Sequence, residues 1–308
     1  MKATIFSYRN LNLCYLPGTL LVEDTLPRKS IAIDGIFTGT FIDPVGERLS
    51  FDHHSPVLPR HCQVPTCKQI FDAQILDWQF PIRHDGRIWV YFNDIDLDSM
   101  LSIFLLTLSK EQLTNRVEQW VNVTGSADVF GPSYTHDEKF VKIRDFLYYK
   151  ILRKHTGKSS KEIISSILEN FYYYAEKDTL NYSKHKHKTK SLFKIEQSLF
   201  VHPSKPDTPI LLMAIQSEDP VFEEAYNEGA DIVLAVRRKG ERYKYSIAKK
   251  HDYIAYDLLE LLGAIVEREK GWGGASSIIG SPEQGSSMQP MELLDLIKHG
   301  NKEKRTNR

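Results

Sequence analysis

The chain has 308 residues, longer than the usual single domain, which predicts two domains. Its 41% hydrophobic and 26% charged residues are those of an ordinary globular protein and exclude a disordered or fibrous chain. Lys+Arg and Asp+Glu stand at 40 each, so there is no global basic field of the kind that binds long duplex nucleic acid.

Three cysteines, Cys14, Cys62 and Cys67, are too few for a disulfide framework and fit a reducing compartment. His61 with Cys62 and Cys67 suggests zinc, but no second ligand pair at zinc-finger spacing follows. The sequence has no apolar run of membrane-spanning length, and its first residues lack the basic-then-apolar layout of a signal peptide. A cytoplasmic protein with no membrane partner is expected.

In chain order, Ala3 to Tyr8 and Thr19 to Val22 read as short strands around the turn residues Pro17-Gly18. Ile31 to Ile33 is an apolar run stopping at Asp34-Gly35, and Arg48 to Phe51 another stopping at Asp52-His53-His54. Apolar runs that end in a carboxylate or imidazole predict buried parallel strands carrying ligands at their carboxyl ends. Aspartate beside two histidines suits Mn²⁺, Fe²⁺ or Zn²⁺ better than Ca²⁺, although the same residues also fit a solvated turn.

Cys67 to Trp78 reads as a short helix. Arg87 to Phe92 is the next strand, ending in Asn93-Asp94-Ile95-Asp96-Leu97-Asp98-Ser99, and Met100 to Leu108 follows as an apolar helix. Asp98 or Ser99 can cap that helix. A cap explains one aspartate; three spaced by two repel one another unless a cation neutralises them. Lys110 to Val121 reads as a helix, and Val123 to Pro132 as a small-residue turn presenting Asp128. Glu138 to Leu152 and Ser160 to Tyr174 read as amphipathic helices whose aromatic residues face a core.

Asn181 to Lys190 is polar and basic and marks a linker. Beyond it come a buried strand (Pro209 to Ile215), a short helix (Val221 to Glu228) and a hairpin (Ala230 to Arg237, Arg242 to Ala248). The helix Asp257 to Lys270 follows, with Gly271 past its end. The stretch from Gly271 to Pro282 lets backbone amides approach a ligand, or forms an ordinary glycine-rich turn. Lys298 to Arg308 reads as a frayed basic tail.

Taken together, Phe51-Asp52-His53-His54, Asp94-x-Asp96-x-Asp98-x-x-x-Ser102, Ile33-Asp34-Gly35 and Thr124-Gly-Ser-Ala-Asp128 resemble the motifs of the DHH phosphoesterase superfamily. That superfamily includes RecJ-like exonucleases, nanoRNA-degrading oligoribonucleases and cyclic dinucleotide phosphodiesterases. The strand pair 230–248, the helix 257–270 and the glycine stretch are similar to the DHH-associated substrate-binding domain, so the resemblance covers most of the chain. Two departures stand out. The aspartate-rich motif follows the Asp-His-His motif instead of preceding it, and Ala275 stands where that domain carries a histidine.

The resemblance implies an α/β fold: a mostly parallel sheet flanked by helices over 1–180, a linker over 181–205, a smaller α/β domain over 206–298 and a flexible tail over 299–308. It implies a Mn²⁺-dependent phosphoesterase acting on a nucleotide or short oligonucleotide, with two Mn²⁺ about 3.5–4 Å apart and Mg²⁺ or another divalent ion as substitute. Asp34, His53, Asp94, Asp96, Asp98 and Asp128 are then metal ligands, His54 contacts the scissile phosphate, and Asp52 orients a histidine. Gly273, Gly274, Ser276, Ser277, Arg237 and Arg238 bind substrate. The departures leave a second possibility open: a catalytically weak protein that binds a nucleotide or partner.

Overall fold

A computed structural model describes residues 3–21, 25–37, 39–53, 62–131, 138–152, 158–177, 182, 193–201, 209–217, 222–251, 254–282 and 284–299. They belong to two compact units, Met1–Phe130 with His136–Lys186, and Gly131–Thr135 with His187–Arg308.

The first unit is built on β1 (Thr4–Tyr8), β2 (Leu11–Tyr15), β3 (Ser30–Ile33), β4 (Phe41–Asp43), β5 (Arg48–Phe51) and β6 (Ile88–Phe92). They form a six-stranded sheet in the order β1-β2-β6-β3-β5-β4. The inner four, β2, β6, β3 and β5, run parallel, while β1 and β4 pair antiparallel at the edges. The sheet is therefore mixed, where a mostly parallel one was expected.

The expected strand at Thr19 to Val22 is also corrected. Thr19 to Leu21 have no strand structure, Val22 lies outside the described residues, and the second strand is Leu11–Tyr15. Asn12 hides that strand from a hydrophobic pattern. It is buried, its Oδ1 accepts from Ser7 Oγ at 2.7 Å, and its Nδ2 donates to Asp85 Oδ2 at 2.8 Å. A buried amide with its hydrogen bonds made is tolerated where an unsatisfied one is not.

Side chains alternate across the sheet. Ile31 and Ile33 face a large core shared with the helices α1 (Thr66–Ile75), α2 (Leu97–Leu106), α3 (Asn115–Phe130), α4 (Glu138–Phe146) and α5 (Ser160–Ala175). Ala32 faces a small cluster with Leu26 and Ile36. The helices thus gather on one face, and loop residues cover the other. Every residue of α2 from Asp98 to Leu106 is buried, which explains its nearly continuous apolar sequence. Burial of each large apolar side chain contributes about 1.5–3 kcal/mol. Phe104 stacks on Phe171 of α5 with ring centres 5.1 Å apart.

Two boundaries differ from the sequence reading. The expected helix from Lys110 splits into a 3-10 turn, Lys110–Gln112, and α3. The expected turn at Val123 to Pro132 is helical as far as Phe130, because Val117, Trp120, Val121, Thr124 and Gly125 continue one buried face. Asp128 therefore stands on a helix.

The second unit contains β7 (Phe193–Val201), β8 (Pro209–Gln216), β9 (Ile232–Lys239), β10 (Arg242–Lys249), β11 (Gly273–Ala275) and β12 (Ile278–Gly280). Their order is β11-β12-β10-β9-β8-β7, antiparallel except for β8 and β9. The crossover between β8 and β9 carries α6 (Phe222–Asn227) on one face, while α7 (Leu258–Arg268) and α8 (Pro290–His299) pack on the other. Asp257 caps α7, its Oδ1 accepting from the amides of Leu259 and Glu260.

Phe193–Val201, expected in the linker, is an edge strand, and Lys298 and His299, expected at the start of the tail, close α8. Most of 181–192 and all of 300–308 lie outside the described residues. The glycine stretch is a short hairpin. Gly274 has φ 140°, and a Cβ there would meet the carbonyl oxygen of Ile278 at 2.3 Å, so close strand contact accounts for that glycine. Among the described residues, no helix is long and apolar enough to cross a membrane.

Candidate metal centre

Strand β3 ends at Asp34, which takes φ 47°, a left-handed conformation that costs a non-glycine residue about 1 kcal/mol or more. Neighbouring groups hold it there. Its amide donates to Phe51 O on β5 at 2.9 Å. The next residue, Gly35, is fixed from both sides: its N–H donates to Asp52 Oδ1 at 3.0 Å, and its carbonyl accepts from Asn93 Nδ2 at 2.9 Å. Asp52 Oδ2 also accepts from the Gly39 amide at 2.6 Å. The buried Asp52 carboxylate thus clamps the loop that carries Asp34.

His53 follows at the end of β5 and is buried with Asp34 and Asp98. Its Nε2 lies 2.6 Å from Asp128 Oδ2, 3.5 Å from Asp34 Oδ1 and 4.0 Å from Asp98 Oδ2. One donor atom each from Asp34, His53 and Asp98 falls within 4.8 Å of the others. Carboxylate oxygens and an imidazole at that spacing suit a divalent transition metal, which the neutral imidazole and ionised carboxylates would hold.

Asp98 reaches this position from the first turn of α2. The amides of Thr66 and Cys67, at the start of α1, donate to its Oδ2 and Oδ1 at 2.9 and 2.8 Å. A helix N-terminus stabilises a carboxylate in this way. Ser99, beside it, donates its hydroxyl to Asp34 Oδ2 at 2.7 Å.

The charges are crowded. Burial, then the negative charges of Asp34 and Asp128, push the Asp98 carboxyl up to about 7, against the Cys67 hydrogen bond and His53. Burial opposes a charge on His53, but Asp128 and Asp34 override it and raise the imidazole to about 11. Asp96 is also held well above the usual carboxylate range, by burial and by repulsion from Asp34, Asp128, Asp94 and Asp98. So many carboxylates around one imidazole make a place where a cation relieves repulsion.

The other expected ligands are placed differently. Asp96, not Asp98 or Ser99, caps α2, with Oδ1 accepting from the Ser99 amide at 2.7 Å. Asp94 is exposed, and its Oδ1 accepts from the Ile95 amide at 2.6 Å. His54 lies outside the described residues. Ser102 is buried on α2, its hydroxyl without a hydrogen-bond partner among the described residues. Of the cysteines near the rejected zinc motif, Cys62 is exposed and Cys67 is buried on α1.

In the second unit, Arg237 and Arg238 are exposed at the end of β9, and Gly273, Gly274 and Ser276 are exposed on the hairpin. Ser277 is fully buried, which removes it from a ligand-facing surface.

The sequence reading missed the groups that position these side chains: Asn93, the amides of Thr66 and Cys67, and the hydroxyl of Ser99 as a partner of Asp34. Only Ser99 carried a signal, as a hydroxyl in the acidic turn; backbone amides leave none. No protein-family model matches the chain, and no curated protein matches its sequence.

Proposed function

We propose that the chain is a divalent-metal-dependent phosphoesterase that hydrolyses an ester of a nucleotide or short oligonucleotide, with Mn²⁺ the preferred ion. The observation that carries this reading is the convergence of Asp34, His53, Asp98 and Asp128, from a strand end, a second strand end and two helices, around one buried point. A divalent cation there supplies Lewis acidity toward a phosphoryl oxygen and activates water as a nucleophile.

The chain's own residues do the rest. Asp34, His53, Asp98 and Asp128 hold the ion, and Asp96 with Asp94 is proposed to support a second one. Asp52, through Gly35 and Gly39, keeps Asp34 in its strained conformation. Ser99 and the start of α1 fix the rotamers of Asp34 and Asp98, the kind of support that tunes a metal site. His54 is proposed to contact the scissile phosphate.

The test is hydrolysis of bis-p-nitrophenyl phosphate by the full chain with Mn²⁺, with and without chelator. Turnover that needs the metal and vanishes in His53→Ala supports the reading. Tight Mn²⁺ binding with no turnover of any phosphoester would leave a binding or sensing protein instead.

A further inference from the structure

Within the first unit, a cavity of about 190 Å³ lies between α1 and the β4–β5 edge of the sheet. Leu49, Phe51, Ala73, Leu76 and Trp78 are among the residues that line it. It is smaller than the roughly 300–1,000 Å³ pockets that hold drug-sized ligands, so it has room for one ring system and not for a whole nucleotide. Three large apolar side chains gather at this one opening: Ile42 is 59% exposed, Leu76 69% and Trp78 43%. Single exposed apolar residues are common, whereas several around an apolar cavity mark a ligand site.

The polar side of the cavity is already satisfied internally. Gln69 Nε2 donates to Asp52 O at 3.0 Å and to Val64 O at 2.7 Å, and its Oε1 accepts from Thr40 Oγ1 at 3.2 Å. Thr40 Oγ1 also lies 2.8 Å from Asp52 O. Ser50 Oγ donates to Gly39 O at 2.9 Å, and the half-exposed Asp72 is paired with Lys68. What the cavity offers a ligand is apolar and aromatic surface, which selects a flat ring by its faces. Its polar wall is also fastened to the carbonyl of Asp52, one residue before His53.

We infer that this cavity is the subsite for the aromatic ring of the substrate, a purine- or aryl-sized group held beside β5 while the attached phosphoester reaches the metal centre. The ring's attachment to a phosphoester rests on the phosphoesterase reading; the binding of the ring does not. Because the hydrogen-bonding groups are engaged with the protein, the subsite reads the presence of a ring more strongly than its identity.

Adenosine, which carries a ring and no phosphate, tests the cavity on its own. It is titrated into the full chain in chelator, with tryptophan fluorescence and indole NMR signals as readouts. Saturable binding is expected, weakened at least tenfold in Leu76→Arg and in Trp78→Ala, both at exposed positions. Circular dichroism establishes that the variants fold, and their Mn²⁺ affinity should equal that of the unaltered chain. Absence of saturable binding, or undiminished binding by both folded variants, overturns the subsite. Adenosine binding that the variants weaken, in a chain that takes up no Mn²⁺, would retain the cavity as a ring site and fell the phosphoesterase reading alone.

Discussion

His53 Nε2 stands 2.6 Å from Asp128 Oδ2, an imidazole at the end of β5 meeting a carboxylate on the last turn of α3. The two residues are 75 positions apart, and only the packing of α3 brings them together. The contact makes Asp128 the charge most closely tied to His53.

Asp128→Asn keeps the shape and removes the charge. Mn²⁺ affinity, measured by isothermal titration, should fall about 10- to 100-fold. His53→Ala should lower it further, since a nitrogen donor is lost outright. Equal Mn²⁺ binding by the unaltered chain and both variants would rule out this cluster as the metal centre.

Stability of the metal-free protein should fall as pH rises from 5 to 8. The folded Asp98 carboxyl is raised from 3.8 to about 7, so the folded state holds its proton through that interval while the unfolded state has lost it. His53, raised from 6.5 to about 11, acts with the same sign: its contribution is complete below 6.5 and drains away toward 11. A bound cation replaces these protons, so the rise in Tm caused by Mn²⁺ should be larger at pH 8 than at pH 5. Thermal unfolding in chelator and in Mn²⁺ at both pH values checks this. A chelated protein whose stability climbs across the interval contradicts it.

Gly125 on α3 lets that helix approach the start of α1. A Cβ at Gly125 would sit 2.4 Å from Pro65 Cγ. Gly125→Val should therefore cost about 1–3 kcal/mol through overpacking and should also weaken Mn²⁺ binding by displacing Asp128, although it alters no ligand. Urea unfolding and metal titration of the same variant measure the two effects. Weaker folding with undiminished metal affinity would show that α3 can shift without disturbing Asp128.

Glu269 follows α7 and ties it to the segment before α8. Burial raises its carboxyl, but the Ser286 hydroxyl, the Ser287 amide, the Trp272 indole and the Ser287 hydroxyl together bring it below its ordinary value. The stability it contributes is present above the unfolded pKa and disappears as pH falls through the lower folded value. Glu269→Gln should consequently narrow the stability difference between pH 7 and pH 3, read by thermal unfolding. An unchanged difference would show that the carboxylate's charge contributes nothing.

Local sequence carried much of the frame. The apolar runs before Asp34, Asp52 and Asp94 are strands β3, β5 and β6, and the continuous apolar stretch after Asp98 is the buried helix α2. Period and end signals are short-range, so residues near one another in sequence suffice to set them. The arrangement of the site was not local. The sequence put Asp94, Asp96 and Asp98 in one acidic turn and offered Asp98 as the helix cap, whereas folding turns Asp94 outward, gives Asp96 to the cap and leaves Asp98 against the start of α1. Asp128 looked like a turn residue because its neighbours are small; Gly125 and Ala127 are small in a helix, and the contact with Pro65 accounts for Gly125. The glycines at 273 and 274 match a phosphate loop and a tight hairpin equally well, and only strand pairing with β12 decides between them. Sequence sets which residues can ionise, coordinate or pack; which of them meet is decided by long-range pairing, whose partners no local pattern encodes.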